Sequence, residues 1–314
     1  MAPFPSVRRL WLAALLALAV FVPLVPAAAR AQEVPAIAPV AGVVVGAPGV
    51  NIRSCARVEC SVTAVAKLGE ALLVTGEPVA NFYPVDWGGV RGYVYRLYVA
   101  TPDGGTPELR LGTPGCNRVA LIFNIGVGYE THVGVLDALQ AADVPATVFP
   151  MGWWATANPD LLARIAESGF VIGSHGDQRL ELTQLPDAGV VADLRAAEVA
   201  IQAATGEAPA RLFTPYAAAI DDRVRALIGG AGYLPIGWTV PADDWDFAVT
   251  ADAVYQNVMS RIEDGAIVEL HLDAPATATA TAVALPRIVA DLRDQGYRFV
   301  TIPELAGPCP RPTP

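Results

Sequence analysis

From residue 118 to residue 301, short apolar runs alternate with amphipathic stretches, and that alternation leaves the chain few folds to choose from. Segments 118–124, 146–150, 170–173, 211–213, 233–237, 265–271 and 297–301 have the length and apolar content of buried strands. Between them, 131–142, 159–168, 187–204, 221–229, 250–262 and 282–295 fit amphipathic helices. Asn158-Pro159 reads as an N-cap and first helical residue. Parallel strands need long crossovers, and helices supply them. The pattern therefore predicts an α/β domain over 118–305 built on a parallel sheet, open or closed into a barrel.

In such folds chemistry gathers at the C-terminal ends of the strands. Those ends read Phe123-Asn124-Ile125-Gly126, Pro150-Met151-Gly152-Trp153-Trp154, Ser174-His175-Gly176-Asp177, Phe213-Thr214-Pro215-Tyr216, Trp238 leading to Asp243-Asp244-Trp245, and Leu270-His271. Two of the chain's three histidines fall there, together with a concentration of tryptophans. Aromatic rings stack on the apolar faces of sugars, and neighbouring Asp, Asn and His side chains can bond hydroxyls. Trp153, Trp154, Tyr216, Trp245 and Asp177 are accordingly expected to bind substrate.

The layout resembles the polysaccharide deacetylase family (the NodB-homology domain, carbohydrate esterase family four) over about 118–305. The resemblance rests on Ala146-Thr147-Val148-Phe149, Gly169 to His175, Asp244-Trp245, Gly265 to His271 and Gly296 to Ile302. It implies a distorted (β/α) barrel and metal-dependent hydrolysis of N-acetyl groups on glycans, with zinc or another divalent cation. Carried over position by position, the implied site is incomplete. The family's general base and a metal ligand fall on Asn124 and Ile125, and its second histidine ligand falls on Arg179. A guanidinium stays cationic and repels a metal ion. The family's arginine falls on Phe213, while Asp244 and His271, its general acid, are kept. His271, Asp244 and Asn124 are thus the catalytic candidates and His175 the sole matched metal ligand. A catalytic zinc takes about three protein ligands, so the metal is not expected to be retained. The expected protein is a secreted deacetylase-like chain, weakly active or glycan-binding only; the alternative is a non-catalytic envelope scaffold or adhesion protein.

Upstream, Arg8-Arg9, the apolar run Leu10–Val25 and Ala29-Arg30-Ala31 have the layout of a signal peptide over 1–31. No later segment is long and apolar enough to span a membrane, so the mature chain is expected to be secreted or held at the cell envelope. Residues 32–42 read as a linker. Residues 43–100 show short alternating segments punctuated by Gly and Pro, the pattern of a small all-β barrel. Val50-Asn51-Ile52-Arg53, Lys67-Leu68-Gly69-Glu70, Val85-Asp86-Trp87-Gly88 and Arg91-Gly92-Tyr93-Val94 resemble a bacterial SH3-type (SH3b) domain, which implies wall binding or a spacer role. Residues 101–117 read as a second linker and 306–314 as a Pro-rich tail. Four cysteines suit an oxidising compartment. The local spacing of Cys55 and Cys60, and the bracketing of the α/β domain by Cys116 and Cys309, favour those two pairings. A net charge of −10 without a basic cluster gives nucleic acid no electrostatic support.

Overall fold

The computed structural model describes residues 38–101 and 105–307, which belong to one compact unit. The expected signal segment 1–31, most of the first linker, Cys309 and nearly all of the tail lie outside the described residues.

Seven strands form the first sheet: β1 (Val40–Val44), β2 (Gly49–Arg53), β3 (Val62–Lys67), β4 (Ala71–Val74), β5 (Phe82–Trp87), β6 (Val90–Tyr95) and β7 (Val99–Ala100), in the order β3-β2-β6-β5-β4-β1-β7. All its paired strands are antiparallel. Val44, Val50, Ile52, Leu72, Val74, Val85 and Val94 alternate inward to make its core. β1 begins inside the stretch read as a linker. The Cys55–Cys60 disulfide closes the β2–β3 connection. Cys116 is also disulfide-bonded, and its expected partner Cys309 lies outside the described residues.

The α/β part follows the predicted alternation: β8 (Arg118–Ile125), α1 (Gly134–Ala141), β9 (Thr147–Pro150), α2 (Gly152–Ala157), α3 (Pro159–Glu167), β10 (Val171–Ile172), α4 (Asp187–Thr205), β11 (Leu212–Phe213), α5 (Asp222–Gly230), β12 (Leu234–Pro235), β13 (Val240–Pro241), α6 (Ala251–Met259), β14 (Ala266–His271), α7 (Ala282–Asp294), β15 (Arg298–Phe299) and α8 (Ile302–Ala306). The main parallel sheet runs β10-β9-β8-β14-β13, with β15 on the lower half of β8, and β11 pairs β12. A parallel bridge from Ser174 to Phe213 carries the curl from β10 to β11. Among the described residues no strand pairing joins β12 to β13, so the barrel is incomplete.

The segment expected to be a linker lies in that seam. Leu109 donates to the Pro235 carbonyl and accepts from Gly237 N, and Leu111 bridges to Ala266. The first sheet packs against the same region. Gly46 N donates to Gly232 O, Tyr95 Oη lies 2.8 Å from Thr113 Oγ1, and Leu97 and Tyr98 join the apolar cluster of Leu109, Leu234 and Ile236.

Strand periodicity divides the core into two layers. On β8, Val119, Leu121, Phe123 and Ile125 face the cluster that contains the helices' apolar side chains, while Ala120 and Ile122 face the barrel interior. On β14, Val268 and Leu270 belong to the helix side and Ile267 to the interior. Ile302, Leu305 and Ala306 of α8 join the interior cluster. Thr301 and Glu304 start that helix with a capping box. The interior is apolar up to Ile122 and Ile267, and the next inward positions on the two strands are Asn124, Glu269 and His271.

Asn158 corrects one expectation. Its side chain does not cap α3; its Nδ2 donates to the Trp154 carbonyl and closes the end of α2 instead.

Candidate functional site

β8 and β14 pair in parallel register with His271 opposite Asn124. That register places three buried polar side chains, Asn124, Glu269 and His271, at the C-terminal mouth of the interior. A cavity of about 460 Å³ opens over them. Its floor is Asn124, His175, Glu269 and His271, and its walls include Tyr216, Trp238 and Trp245.

Two hydrogen-bonded chains cross the floor and meet where His271 and Glu269 form an ion-pair contact. Thr281 Oγ1 donates to Asp244 Oδ2 at 2.7 Å, and His271 Nδ1 bonds Asp244 Oδ1 at 2.8 Å. The other ring nitrogen, Nε2, lies 3.2 Å from Glu269 Oε1. Asn124 Nδ2 donates to that same oxygen at 3.2 Å, and Thr214 Oγ1 donates to Asn124 Oδ1 at 3.0 Å. His175 Nδ1 completes the series, 2.8 Å from the Thr214 carbonyl oxygen. A carbonyl can only accept, so His175 carries its proton on Nδ1 and presents Nε2 as an acceptor.

Burial and neighbours push the two histidines apart. Burial, opposed in part by the Thr214 carbonyl and reinforced by His271, lowers His175 to about 4. Burial would also depress His271, but the Glu269 and Asp244 carboxyls on either side outweigh it and raise the ring to about 9. Burial raises Glu269 above the ordinary carboxyl value, against the pull of His271. Near neutral pH His271 is therefore an imidazolium held between two acidic side chains, and His175 is neutral.

A second buried carboxyl shapes the rim. Asp273 accepts from the backbone N–H groups of Gly126, Val127 and Gly128. These bonds hold the loop leaving β8 against the end of β14. Gly126 has φ +154°, and a Cβ there would meet Met151 Sδ at 2.4 Å, so the position requires glycine.

The family's metal does not fit this donor set. Ile125 is fully buried among the apolar side chains of the helix layer. Arg179 turns outward: its Nη1 donates to the Val127 carbonyl at 2.8 Å and its guanidinium lies 5.5 Å from the Trp153 ring centroid. Of the three implied ligand positions only His175 offers a donor atom. Among the described residues no group of three His, Cys, Asp or Glu side chains is arranged to hold a metal ion.

The other expected site residues divide. Tyr216 and Trp245 line the cavity, and Tyr216 packs edge-on to His175. Trp154 does not; it is 3% exposed in the helix-side core, with its indole N–H on Thr131 Oγ1. α2 begins directly after β9 and turns this residue inward. Trp153 is covered by Arg179, its N–H directed at Met151 Sδ, and is absent from the cavity lining. Asp177 is also outside the lining: its backbone N–H donates to buried Asp193, and its side chain accepts from Gln178. Sequence reasoning overlooked Glu269. The signal was available, since Glu269 lies two residues before His271 and so shares its face of the strand. Trp238 completes the aromatic walls.

Fold and cleft together define a (β/α)-barrel protein with a cavity at its strand ends. The family model for polysaccharide deacetylase matches residues 112–236. A chitooligosaccharide deacetylase of Sinorhizobium fredii is 30% identical over 62% of this chain and 94% of its own length. The peptidoglycan-N-acetylglucosamine deacetylase PgdA of Listeria monocytogenes is 36% identical over 60% of this chain, which spans 39% of that protein. Among solved structures, a CE4 family pseudoenzyme from Bacillus anthracis matches 64% of this chain and 69% of its own at a TM-score of 0.58 and 27% identity. The chain belongs to the polysaccharide deacetylase family. Among the described residues no helix is long and apolar enough to cross a membrane.

Proposed function

We propose that this chain is an exported glycan-binding member of the deacetylase family that has given up metal-dependent hydrolysis. The observation that carries the reading is the contrast within one cleft. Its aromatic walls, Tyr216, Trp238 and Trp245, are built to stack on sugar rings, while Ile125 and Arg179 have left the metal pole. Ile125 and Arg179 leave an acetyl carbonyl without the Lewis acid that the family's metal would supply. The similarity to a CE4 pseudoenzyme supports this reading, and the named relatives that act on peptidoglycan and chitooligosaccharides point to cell-wall or related glycan. The first sheet is read as an SH3-type module that adds avidity on an insoluble wall, and residues 1–31 as the export signal that brings the chain to the envelope.

The test measures acetate release from N-acetylglucosamine oligomers with and without added zinc, alongside binding of soluble glycans and insoluble peptidoglycan. Binding without acetate release is expected, weakened by Trp245→Ala. Zinc-dependent release abolished by His175→Ala would refute the reading. If no glycan is bound, a non-catalytic scaffold role takes its place.

A further inference from the structure

The cleft floor holds buried acceptors that the network around them does not satisfy. Most donors of the floor network face partners within it, and Asn124 Nδ2 keeps one of its two N–H groups over. Asn124 Nδ2 and His271 Nε2 both converge on Glu269 Oε1, His271 Nδ1 is held by Asp244, His175 Nδ1 by Thr214, and Thr214 Oγ1 by Asn124. Two acceptors are left. Among the described residues nothing bonds Glu269 Oε2 or His175 Nε2, and both side chains line the cavity. An N-acetyl carbonyl would leave both of these buried acceptors unpaired.

We infer that the cleft selects sugars bearing a free amino group, and that Glu269 is the residue that reads the ammonium. A primary ammonium brings three donors and no acceptor, the complement of these two open acceptors. Its bond to a carboxylate is charge-assisted, and the faces of Trp238 and Trp245 favour a cation as well as a sugar ring. The cavity volume of about 460 Å³ lies within the range of small-ligand sites. Glu269 is 4% exposed, so solvent screens the contact weakly. Asp243 and Asp244 add negative charge close to Glu269, and the −10 charge of the whole chain favours the approach of a polycationic glycan. The His271 imidazolium beside Glu269 is offset by Asp244 on its other nitrogen, and Arg179 at the rim is held by Val127 and Trp153. The ligand class is therefore a de-N-acetylated amino-sugar glycan: a chain of this family would recognise the mark that a deacetylase leaves, in place of making it.

This inference rests on the glycan-binding reading above, and one experiment separates the two. A glucosamine pentamer, an N-acetylglucosamine pentamer and a lysine pentapeptide are titrated calorimetrically at pH 6 into the full chain and into Glu269→Gln, whose fold is checked by circular dichroism. The glucosamine pentamer should bind about tenfold more tightly than its N-acetyl counterpart, a margin that one desolvated ion contact supplies. Glu269→Gln should level the two. Equal or tighter binding of the N-acetyl pentamer would overturn the inference and leave the glycan reading standing. Binding of neither would remove both. A preference that persists in Glu269→Gln, or a lysine peptide bound as well as the glucosamine pentamer, would show attraction to the acidic surface alone and would also overturn it. If Glu269→Gln does not fold, Trp245→Ala on the cavity wall provides the second variant. It should weaken the glucosamine pentamer more than the lysine peptide, because the peptide has no sugar ring to stack, and an equal or greater loss for the peptide counts against the inference.

Discussion

Raising the pH from 6.5 to 9 should remove stability through one side chain, His271. The chain has three histidines, and no described cysteine is free, so few groups change charge in this window. The native ring, raised to about 9 by Glu269 and Asp244 against the opposing effect of burial, holds a proton that the unfolded chain releases near its ordinary value of 6.5. The stabilisation is therefore fully present below pH 6.5 and is lost as pH rises through 9. At about 1.36 kcal/mol per pH unit, an imidazole raised from 6.5 to about 9 corresponds to about 3 kcal/mol. His175 has the opposite sign. Its ring is lowered to about 4, so its contribution is present above 6.5 and lost as pH falls through 4, again by about 3 kcal/mol. Urea unfolding at pH steps from 4 to 9 should show stability falling on both sides of neutrality. In Glu269→Gln the alkaline fall should shrink, because the largest attraction on His271 is gone, while the acid fall remains. A wild-type profile flat between pH 6.5 and 9, or an alkaline limb unchanged in Glu269→Gln, would refute the assignment of an imidazolium at His271.

Trp154→Ala should cost about 3–5 kcal/mol in urea denaturation, because it empties a core site. Trp245→Ala, at a side chain 57% exposed, should stay within about 0.5 kcal/mol and affect only ligand binding. Asp273→Ala should destabilise by at least about 3 kcal/mol, since the N–H groups of Gly126, Val127 and Gly128 lose their acceptor together; amide exchange should rise first at those three residues. Non-reducing peptide mapping should recover Cys55 joined to Cys60 and Cys116 joined to Cys309, and a fragment joining Cys55 to Cys116 would contradict both pairings.

Much of the framework was legible because period-two and period-3.6 patterns are local. The six expected helices are present within a few residues, and β8, β9 and β14 match their apolar runs. What escaped was non-local. The Leu109 segment reads as a linker since it is flanked by Gly and Pro, yet it is buried by the unpaired edge between β12 and β13, which only the assembled barrel creates. Trp153 and Trp154 were both expected at the substrate mouth. α2 instead sends one ring into the core and the other to the rim under Arg179. Asn158 has the chemistry of an N-cap, but a neighbouring helix end offers its amide a closer partner. In the site, Asn124, Ile125 and Arg179 were readable position by position as departures from the family's pattern. Glu269 was not, because one carboxyl within an apolar strand gains meaning only from the partner strand's register.

Asn124 and Glu269 are best understood as one substitution in two places. The Asn124 amide orientation is fixed by Thr214, whose hydroxyl proton goes to Oδ1 and leaves Nδ2 to face Glu269. An aspartate at 124 would bring a second carboxyl to within 3.2 Å of Glu269 Oε1, in the place of a donor. Two carboxyls that close, both buried, cannot both ionise. One would keep its proton, and His271 would lose part of the attraction that raises it. A base at 124 and an acid at 269 therefore compete for the same imidazolium. In this chain Glu269 holds that place. The carboxyl stands on β14 rather than β8, where it lines the cavity together with Trp238 and Trp245, the placement on which the proposed ammonium contact rests.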